Sequence, residues 1–246
     1  MINGDVVQIT EVLERSVQGR THPFLCRGAD RRLYYVKGAG AGRKGLISEW
    51  LGSTMAACFG LPIAEHRIVE VPESMTALHI PDFFALGPGL AFGSVVQENV
   101  VDLSWSNIQD IPPQVRRDIA VFDWWVQNED RTLSERAGNP NLLWHILEER
   151  VIVIDDNLAF DKTFGALPFW QLHAFGADWN DVFQDFLARP VYERRMVEAL
   201  SQFEMACDKM PDDWLELGPG IPSPFTPRDA LDVLERVHRP GFRERL

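Results

Sequence analysis

The stretch FDWWVQNEDRTLSERAGNPNLLWHILEERVIVIDDNLAFD, residues 122–161, carries an Asn-x-Asp-Arg motif, a later Asn-x-Asn, and an Asp-Asp pair behind four apolar residues. Just before it, residues 114–127 repeat apolar side chains at steps of three and four, which predicts a helix with one apolar face. Two apolar runs, 141–144 and 151–154, flank a polar turn and predict two short buried strands. The first motif therefore follows a helix in a loop, and the Asp-Asp pair leaves the end of a strand.

Three residues of this stretch, Asp130, Asn141 and Asp155, have the types and the order that phosphoryl transfer needs. That reaction uses one carboxylate beside the acceptor hydroxyl, and an Asn and a second Asp on the Mg²⁺ that bridges the phosphates of ATP. Asp and Asn alone are weak signals, because both are common in solvated turns. Their order along a helix, a loop and a strand end makes the pattern more specific. We therefore predict a phosphoryl-transfer site that uses ATP and Mg²⁺.

A lysine and a glutamate nearer the start of the chain fit the same chemistry. Lys37 ends the run Leu-Tyr-Tyr-Val-Lys, which is typical of a strand, and Glu49 flanks the apolar stripe of a predicted helix over 46–59. Protein kinases hold such a lysine on the α- and β-phosphates through an ion pair with a helix glutamate. We expect Lys37 and Glu49 to form this pair, although a lysine at the surface end of a strand is the plainer interpretation.

The motifs NEDRT (128–132), NPNLL (139–143) and VIVIDD (151–156) resemble the HipA-like kinase family, and most closely its short, single-module branch. The resemblance covers about residues 5–205. It implies an α+β, two-lobed protein-kinase-like fold, with a small antiparallel-sheet N-lobe that carries one helix and a mainly helical C-lobe. We expect the N-lobe to span 1–98 and the C-lobe 99–246. By position, Asp130 would be the catalytic Asp, and Asn141 and Asp155 the two metal ligands.

The chain departs from the family pattern in two places. Residues 133–137 lengthen the catalytic loop, and Asp156 and Asn157 stand where the family would have His-Gly. The longer loop leaves both Asn139 and Asn141 open as the metal-binding Asn. We favour Asn141, because it directly precedes an apolar strand, whereas Asn139 precedes a proline.

The remaining nucleotide contacts are predicted from the family arrangement. The loop 16–22 would close over the phosphates, with contacts from Gly19, Arg20 and Thr21, although a single glycine is a weak signal and an ordinary hairpin turn is the alternative. Adenine would bind the backbone of a hinge between Val96 and Glu98. We interpret the glycine-rich 38–45 as a linker, with a second phosphate-side loop as the alternative. Residues 164–176, which are aromatic and loop-like, would form the activation segment.

Composition limits the other classes of function. The chain has 246 residues and 46% hydrophobic residues, enough for one large domain or two small lobes. A net charge of −12 argues against direct binding to nucleic acid or to a membrane surface. Residues 1–45 carry eight Lys/Arg against four Asp/Glu, or +4, which suits phosphates and leaves −16 for the remainder. Three scattered cysteines, no signal peptide pattern and no long apolar run predict a cytoplasmic protein.

We expect a kinase whose acceptor is a Ser or Thr hydroxyl of a protein substrate. One alternative is a pseudokinase that acts as a binding module, which the lengthened catalytic loop favours. Another is a small-molecule or lipid kinase, since the phosphate-handling residues do not reveal the acceptor.

Overall fold

A closed five-stranded barrel forms the first part of the computed structural model, which describes residues 6–16, 22–77, 82–178, 182, 185, 187–239 and 242. Neighbouring strands are antiparallel, in the order β1-β2-β3-β5-β4, except that β1 pairs with β4 in parallel and closes the barrel. Alternate side chains point inward, which gives the barrel its own apolar core. The strands are β1 Val7–Arg15, β2 Phe24–Gly28, β3 Leu33–Lys37, β4 His66–Val71 and β5 Gly89–Val95.

The predicted strands are present, but the closed barrel differs from the small antiparallel sheet that we expected. The parallel pairing joins Val7 to Val69 and Gln8 to Glu70, residues about sixty positions apart in the chain. A local pattern of apolar residues carries no information about such a distant partner.

Helix α1, Gly42–Phe59, leaves the barrel after a single 3₁₀ turn at Ala39–Ala41. The interpretation of 38–45 as a linker is therefore wrong for its second half, which is the first turn of this helix. Twelve of its 18 residues are buried. The helix packs against β5 on one side and against helices from the C-terminal part of the chain on the other. It ends at Gly60, whose φ of +92° favours glycine.

The rest of the chain surrounds a second, larger apolar core that also includes α1. Helix α3, Pro113–Val126, agrees with the predicted helix, and β9, Leu142–His145, forms an antiparallel hairpin with β10, Arg150–Val153. Strand β6, Val100–Asp102, extends that hairpin on the β9 side. The smaller strands are β7 Thr132–Leu133, β8 Gly138–Asn139, β11 Glu216–Gly218 and β12 Ile221–Pro222. The other helices are α2 Phe83–Leu86, α4 Ala166–Leu172, α5 Ala188–Leu200, α6 Phe203–Asp208 and α7 Pro227–Leu234.

The first residues of helix α7 account for where it begins. Thr226 caps it, Pro227 stands at its first position, and Asp229 bonds back to the backbone N–H of Thr226 in a capping box. In the part of the chain that is described, no helix combines the length and the apolar character needed to cross a membrane.

Candidate functional site

Three predicted site residues meet where the barrel, α1 and the end of β10 come together. The Nζ of Lys37, the last residue of β3, donates to Oε1 of Glu49 on α1 and lies 2.8 Å from Oδ1 of Asp155. Lys37 and Glu49 are buried, and Asp155 is partly exposed. The end of β3, on its face away from the barrel core, and the second turn of α1 thus deliver a lysine and a glutamate to Asp155, two residues beyond β10.

Burial and charge act in opposite directions on these groups. Burial lowers the pKa of Lys37, but Asp155 and Glu49 outweigh it and the pKa is raised, so the lysine stays charged. Burial raises the pKa of Asp155, yet the charge of Lys37 prevails and lowers it. For Glu49 burial is the larger effect and raises the pKa well above its ordinary value. Lys37 therefore pairs with both carboxylates, and its charge favours the ionised form of Asp155.

Asp130 and Asn141, the other two predicted residues of the reaction centre, contact each other directly. Nδ2 of Asn141 donates to Oδ2 of Asp130 at 2.9 Å. This bond leaves Oδ1 as the acceptor atom of the Asn141 amide, and oxygen is the atom type that Mg²⁺ takes from proteins. Asn141 has a φ of +49° and Asp155 a φ of +60°. Non-glycine residues in this region are uncommon and cluster at functional sites.

The five extra residues of the catalytic loop form a small hairpin. β7 pairs with β8 through Thr132–Asn139 and Leu133–Gly138, and Oγ of Ser134 donates to the carbonyl of Ala137 across the tip. Asn139 lies in this hairpin with an exposed side chain, whereas Asn141 is buried beside Asp130. The insertion therefore leaves Asp130 and Asn141 in contact, and that contact favours Asn141 over Asn139.

Sequence reasoning missed the residue that holds this site together, Arg131. Its side chain is fully buried, and its three nitrogens bond to groups on three segments of the chain. The partners are the Asp123 carboxylate (Nε to Oδ2, 2.7 Å), the Asp156 carboxylate (3.1 Å), the Asn141 carbonyl (2.8 Å) and the Ile154 carbonyl (3.1 Å). A buried arginine requires charged or polar partners. An acidic residue on the core face of the predicted helix before the loop was therefore the available sign that an arginine is buried beside it.

Asp123, in the last turn of α3, lies between Arg131 and a histidine. Nδ1 of His173 accepts the N–H of Phe175, so the ring proton is on Nε2 and is donated to Asp123 at 3.0 Å. Burial raises the pKa of Asp123, but Arg131 and His173 lower it further than burial raises it. Asp123 therefore stays ionised and holds the Arg131 guanidinium next to the loop that carries Asp130.

The catalytic-loop segment also contacts residues 164–176, which we expected to be loop-like throughout. That expectation is wrong, because these residues contain helix α4. Oε1 of Glu129 accepts the N–H of Gly165 just before the helix, and the N–H of Ala174 donates to the carbonyl of Arg131 just after it, at 2.8 Å. The segment is thus attached to the loop at both ends.

The structure describes only some of the residues predicted to contact the nucleotide. Gly19, Arg20 and Thr21 lie outside the described residues. At the proposed hinge, the N–H of Val96 donates to the carbonyl of Leu33 at 2.9 Å, which engages one of the backbone groups expected for adenine, and Glu98 is exposed. These contacts stay predictions.

The two basic residues at the start of α1 point elsewhere. Arg43 donates to the carbonyl of Glu216 at 2.8 Å, and Nζ of Lys44 lies 5.8 Å from the centre of the Phe225 ring. The alternative of a second phosphate-side loop therefore has no support from their contacts, which are with the C-terminal part of the chain.

Charge at the site fits a divalent cation. The buried and partly buried acids Glu49, Asp123, Asp130, Asp155 and Asp156 number five against two cations, Lys37 and Arg131, a formal balance of −3. Within the described ranges, no three His, Cys, Asp or Glu side chains form a ready-made metal cluster. Mg²⁺ needs none, because it usually takes one or two protein ligands and completes its shell with phosphate oxygens and water.

Comparison with known proteins supplies the family. A search of curated proteins finds no match. The family model described as HipA-like kinase matches residues 9–246, nearly the whole chain, and so includes almost all of the barrel, α1 and every residue of the site. This chain belongs to the HipA-like kinase family.

Proposed function

We propose that this protein is a kinase that transfers the γ-phosphoryl group of ATP, with Mg²⁺, to a Ser or Thr hydroxyl of a protein. The observation that carries the proposal is the convergence of Lys37, Glu49 and Asp155 at one point, with Asp130 bonded to Asn141. These are the five groups that protein kinases use for phosphoryl transfer. The family supports a kinase, and the protein acceptor is inferred from the resemblance of the site to protein kinases.

Each residue has a role in this proposal. Lys37, held by Glu49, binds the α- and β-phosphates, and Oδ1 of Asn141 with the Asp155 carboxylate would hold the metal. Mg²⁺, when bound, would neutralise charge on the β- and γ-phosphates. Gly19, Arg20 and Thr21 would cover the phosphates, and the backbone between Val96 and Glu98 would contact adenine.

Asp130 acts on the acceptor. The acceptor oxygen forms a bond to the γ-phosphorus as the bond from that phosphorus to the β–γ bridging oxygen breaks, and ADP leaves. Asp130 orients the hydroxyl and accepts its proton, which is then released to solvent. The Asn141 N–H that donates to Oδ2 directs one oxygen of Asp130, and so restricts the carboxylate to one orientation.

We assign the two-lobed kinase arrangement to the fold as part of the same proposal, with lobes at 1–98 and 99–246. Its support is that the barrel ends at Val95 and that the next strand, β6, pairs with β9 instead. ATP as co-substrate also favours a cytoplasmic location.

The pseudokinase alternative rests on the lengthened catalytic loop, and the geometry of that loop does not favour it. The extra residues fold into the β7–β8 hairpin, while Asp130 and Asn141 stay in contact.

The test is transfer of labelled γ-phosphate from ATP with Mg²⁺ to protein and to small-molecule fractions of a cell extract. We expect label on protein, and Asp130→Asn should lower the rate by about 10²- to 10⁴-fold while ATP affinity stays within about threefold, because Lys37 and both metal ligands remain. Asp118→Asn is the control, since Asp118 is an acid paired with Arg195 away from the site.

Each result has a distinct meaning. Label on a small molecule would mean that the acceptor is a small molecule and not a protein. ATP binding without transfer by the wild type would establish the pseudokinase. An Asp130→Asn protein that is destabilised but fully active would contradict the role of Asp130.

A further inference from the structure

We propose that Asp156 is a positioning residue for phosphoryl transfer, connecting helix α1 to the loop that carries Asp130. The inference rests on the proposed kinase function. It gives a role to Asp156, which stands where the family resemblance would have a histidine. Asp156 is fully buried, directly follows Asp155, and bonds to α1 on one side and to Arg131 on the other.

The contact with α1 uses both the side chain and the backbone of Asp156. Its Oδ2 accepts the hydroxyl of Ser53 at 3.0 Å, and its backbone N–H donates to Oε2 of Glu49 at 3.3 Å. Glu49 is the same residue whose other oxygen accepts Lys37. The position of Glu49 is therefore set from two directions, by Lys37 of β3 and by the backbone of Asp156.

The contact with the loop passes through Arg131. Oδ1 of Asp156 accepts Nη2 of Arg131 at 3.1 Å, and Nη1 of the same guanidinium donates to the carbonyl of Asn141 and to the carbonyl of Ile154, which precedes Asp155. One arginine thus fixes the backbone at both predicted metal ligands, and it lies next to Asp130 in the chain. Asp156 joins this assembly to the helix of Glu49.

Helix α1 is shaped to receive Asp156. A Cβ added at Gly52 would lie 2.8 Å from the Cβ of Asp156, so the close approach needs a glycine there. The next residue, Ser53, is buried at the same place and supplies the hydroxyl. Helix interiors disfavour both residue types, and here each has a contact with Asp156 that accounts for it.

Loss of the Asp156–Ser53 bond should affect turnover more than nucleotide binding. Without the Asp156–Ser53 bond, Glu49 and Lys37 lose one constraint on their placement relative to Asp130, and small misplacements of reacting groups can cost about 100-fold in rate. Binding of the adenine and of most phosphate oxygens does not pass through this bond. We therefore expect kcat to fall while the KM for ATP changes little.

The test compares Ser53→Ala and Asp156→Asn with Asp118→Asn in a phosphate-transfer assay, with thermal melting of each protein. Asp118→Asn removes an acid–arginine pair away from the site and controls for lost stability. We expect Ser53→Ala and Asp156→Asn to lower kcat by about 10- to 100-fold, with the KM for ATP within about threefold. In the double variant the kcat effects should not multiply, because both changes break the same connection.

The outcomes separate this role from the kinase function itself. Ser53→Ala and Asp156→Asn proteins that melt lower but turn over at the wild-type rate would overturn the positioning role. If Asp156→Asn does not fold, Ser53→Ala decides alone, because it removes only the bond to α1. A wild-type protein that transfers no phosphate would overturn the proposed function and this role with it, whereas an active wild type beside an equally active Ser53→Ala overturns this role only.

Discussion

At the scale of single residues, specific bonds decide which side chains take part in the site. Asn139 and Asn141 of the catalytic loop are an example. Asn141 is buried against Asp130, while Asn139, two residues earlier, lies exposed in the hairpin. The sequence left the choice between them open, because the insertion shifts the register of the loop. Contacts decide which amide is near the reaction centre, and a local pattern does not contain them.

The two asparagines therefore provide a matched pair of variants. We expect Asn141→Ala to lower phosphate transfer by about 100-fold or more, since it removes the proposed metal ligand and the partner of Asp130. Asn139→Ala should stay within about threefold of the wild type. Measured in the same transfer assay, a larger loss in Asn139→Ala would move the metal-binding position to the hairpin.

His66 gives a pH dependence outside the site. Burial, ahead of the smaller effects of Arg67 and Glu65, lowers the pKa of His66 to about 4. The unfolded chain then binds more protons than the folded one between about pH 4 and pH 6.5, so stability is full above pH 6.5 and falls as the pH is lowered through this window. At about pH 5 the loss from His66 should be about 2 kcal/mol.

The variant that tests it is His66→Gln, which keeps a partner for Oγ1 of Thr54 but does not titrate. Urea unfolding at about pH 7.5 and about pH 5 should show a smaller drop for the variant than for the wild type. Asp156, whose burial raises its pKa to about 6, contributes with the opposite sign in both proteins and cancels in the difference. An equal drop in the two would mean that His66 is protonated in the folded state.

Elements with a local signal were predicted well, and elements that depend on distant partners were not. The stripe of α3 and the two apolar runs of β9 and β10 follow from spacing alone. The parallel β1–β4 closure and the bonds of Arg131 to three segments depend on residues far apart in the chain. Helix α4 was missed because its aromatic residues lack a clear period and its ends are fixed by Glu129 and the Arg131 carbonyl.

At the same scale, the hairpin formed by the loop insertion requires a glycine at position 138. An added Cβ would lie 2.4 Å from the Thr132 carbonyl oxygen, so the two strands must separate. We expect Gly138→Ala to cost about 1–3 kcal/mol and to lower phosphate transfer, because the hairpin leads directly to Asn141. Gly218→Ala, in the β11–β12 hairpin, is the control, since nothing lies within 4 Å of a Cβ there. Equal melting and equal activity in the two variants would show that the hairpin is not coupled to the site.

Across the whole molecule, α1 connects the barrel to the larger core and carries Glu49 between them. Its buried residues belong to the larger core, yet Glu49 bonds to Lys37 of the barrel. Trp214 also donates from the C-terminal part to the carbonyl of Leu90 on β5, at 3.0 Å. The site is therefore assembled from segments that span residues 37–156, and only the complete fold brings them together.

The measurement that tests the central claim most directly is calorimetric titration of ATP, with and without Mg²⁺, into the wild type and Asp155→Ala, with Asp118→Asn as control. We expect Mg²⁺ to raise the affinity of the wild type and of the control by at least about tenfold, or about 1.4 kcal/mol, and to leave Asp155→Ala unchanged. The same Mg²⁺-ATP affinity in Asp155→Ala as in the wild type would contradict the assignment of Asp155, and with it the site proposed here for phosphoryl transfer.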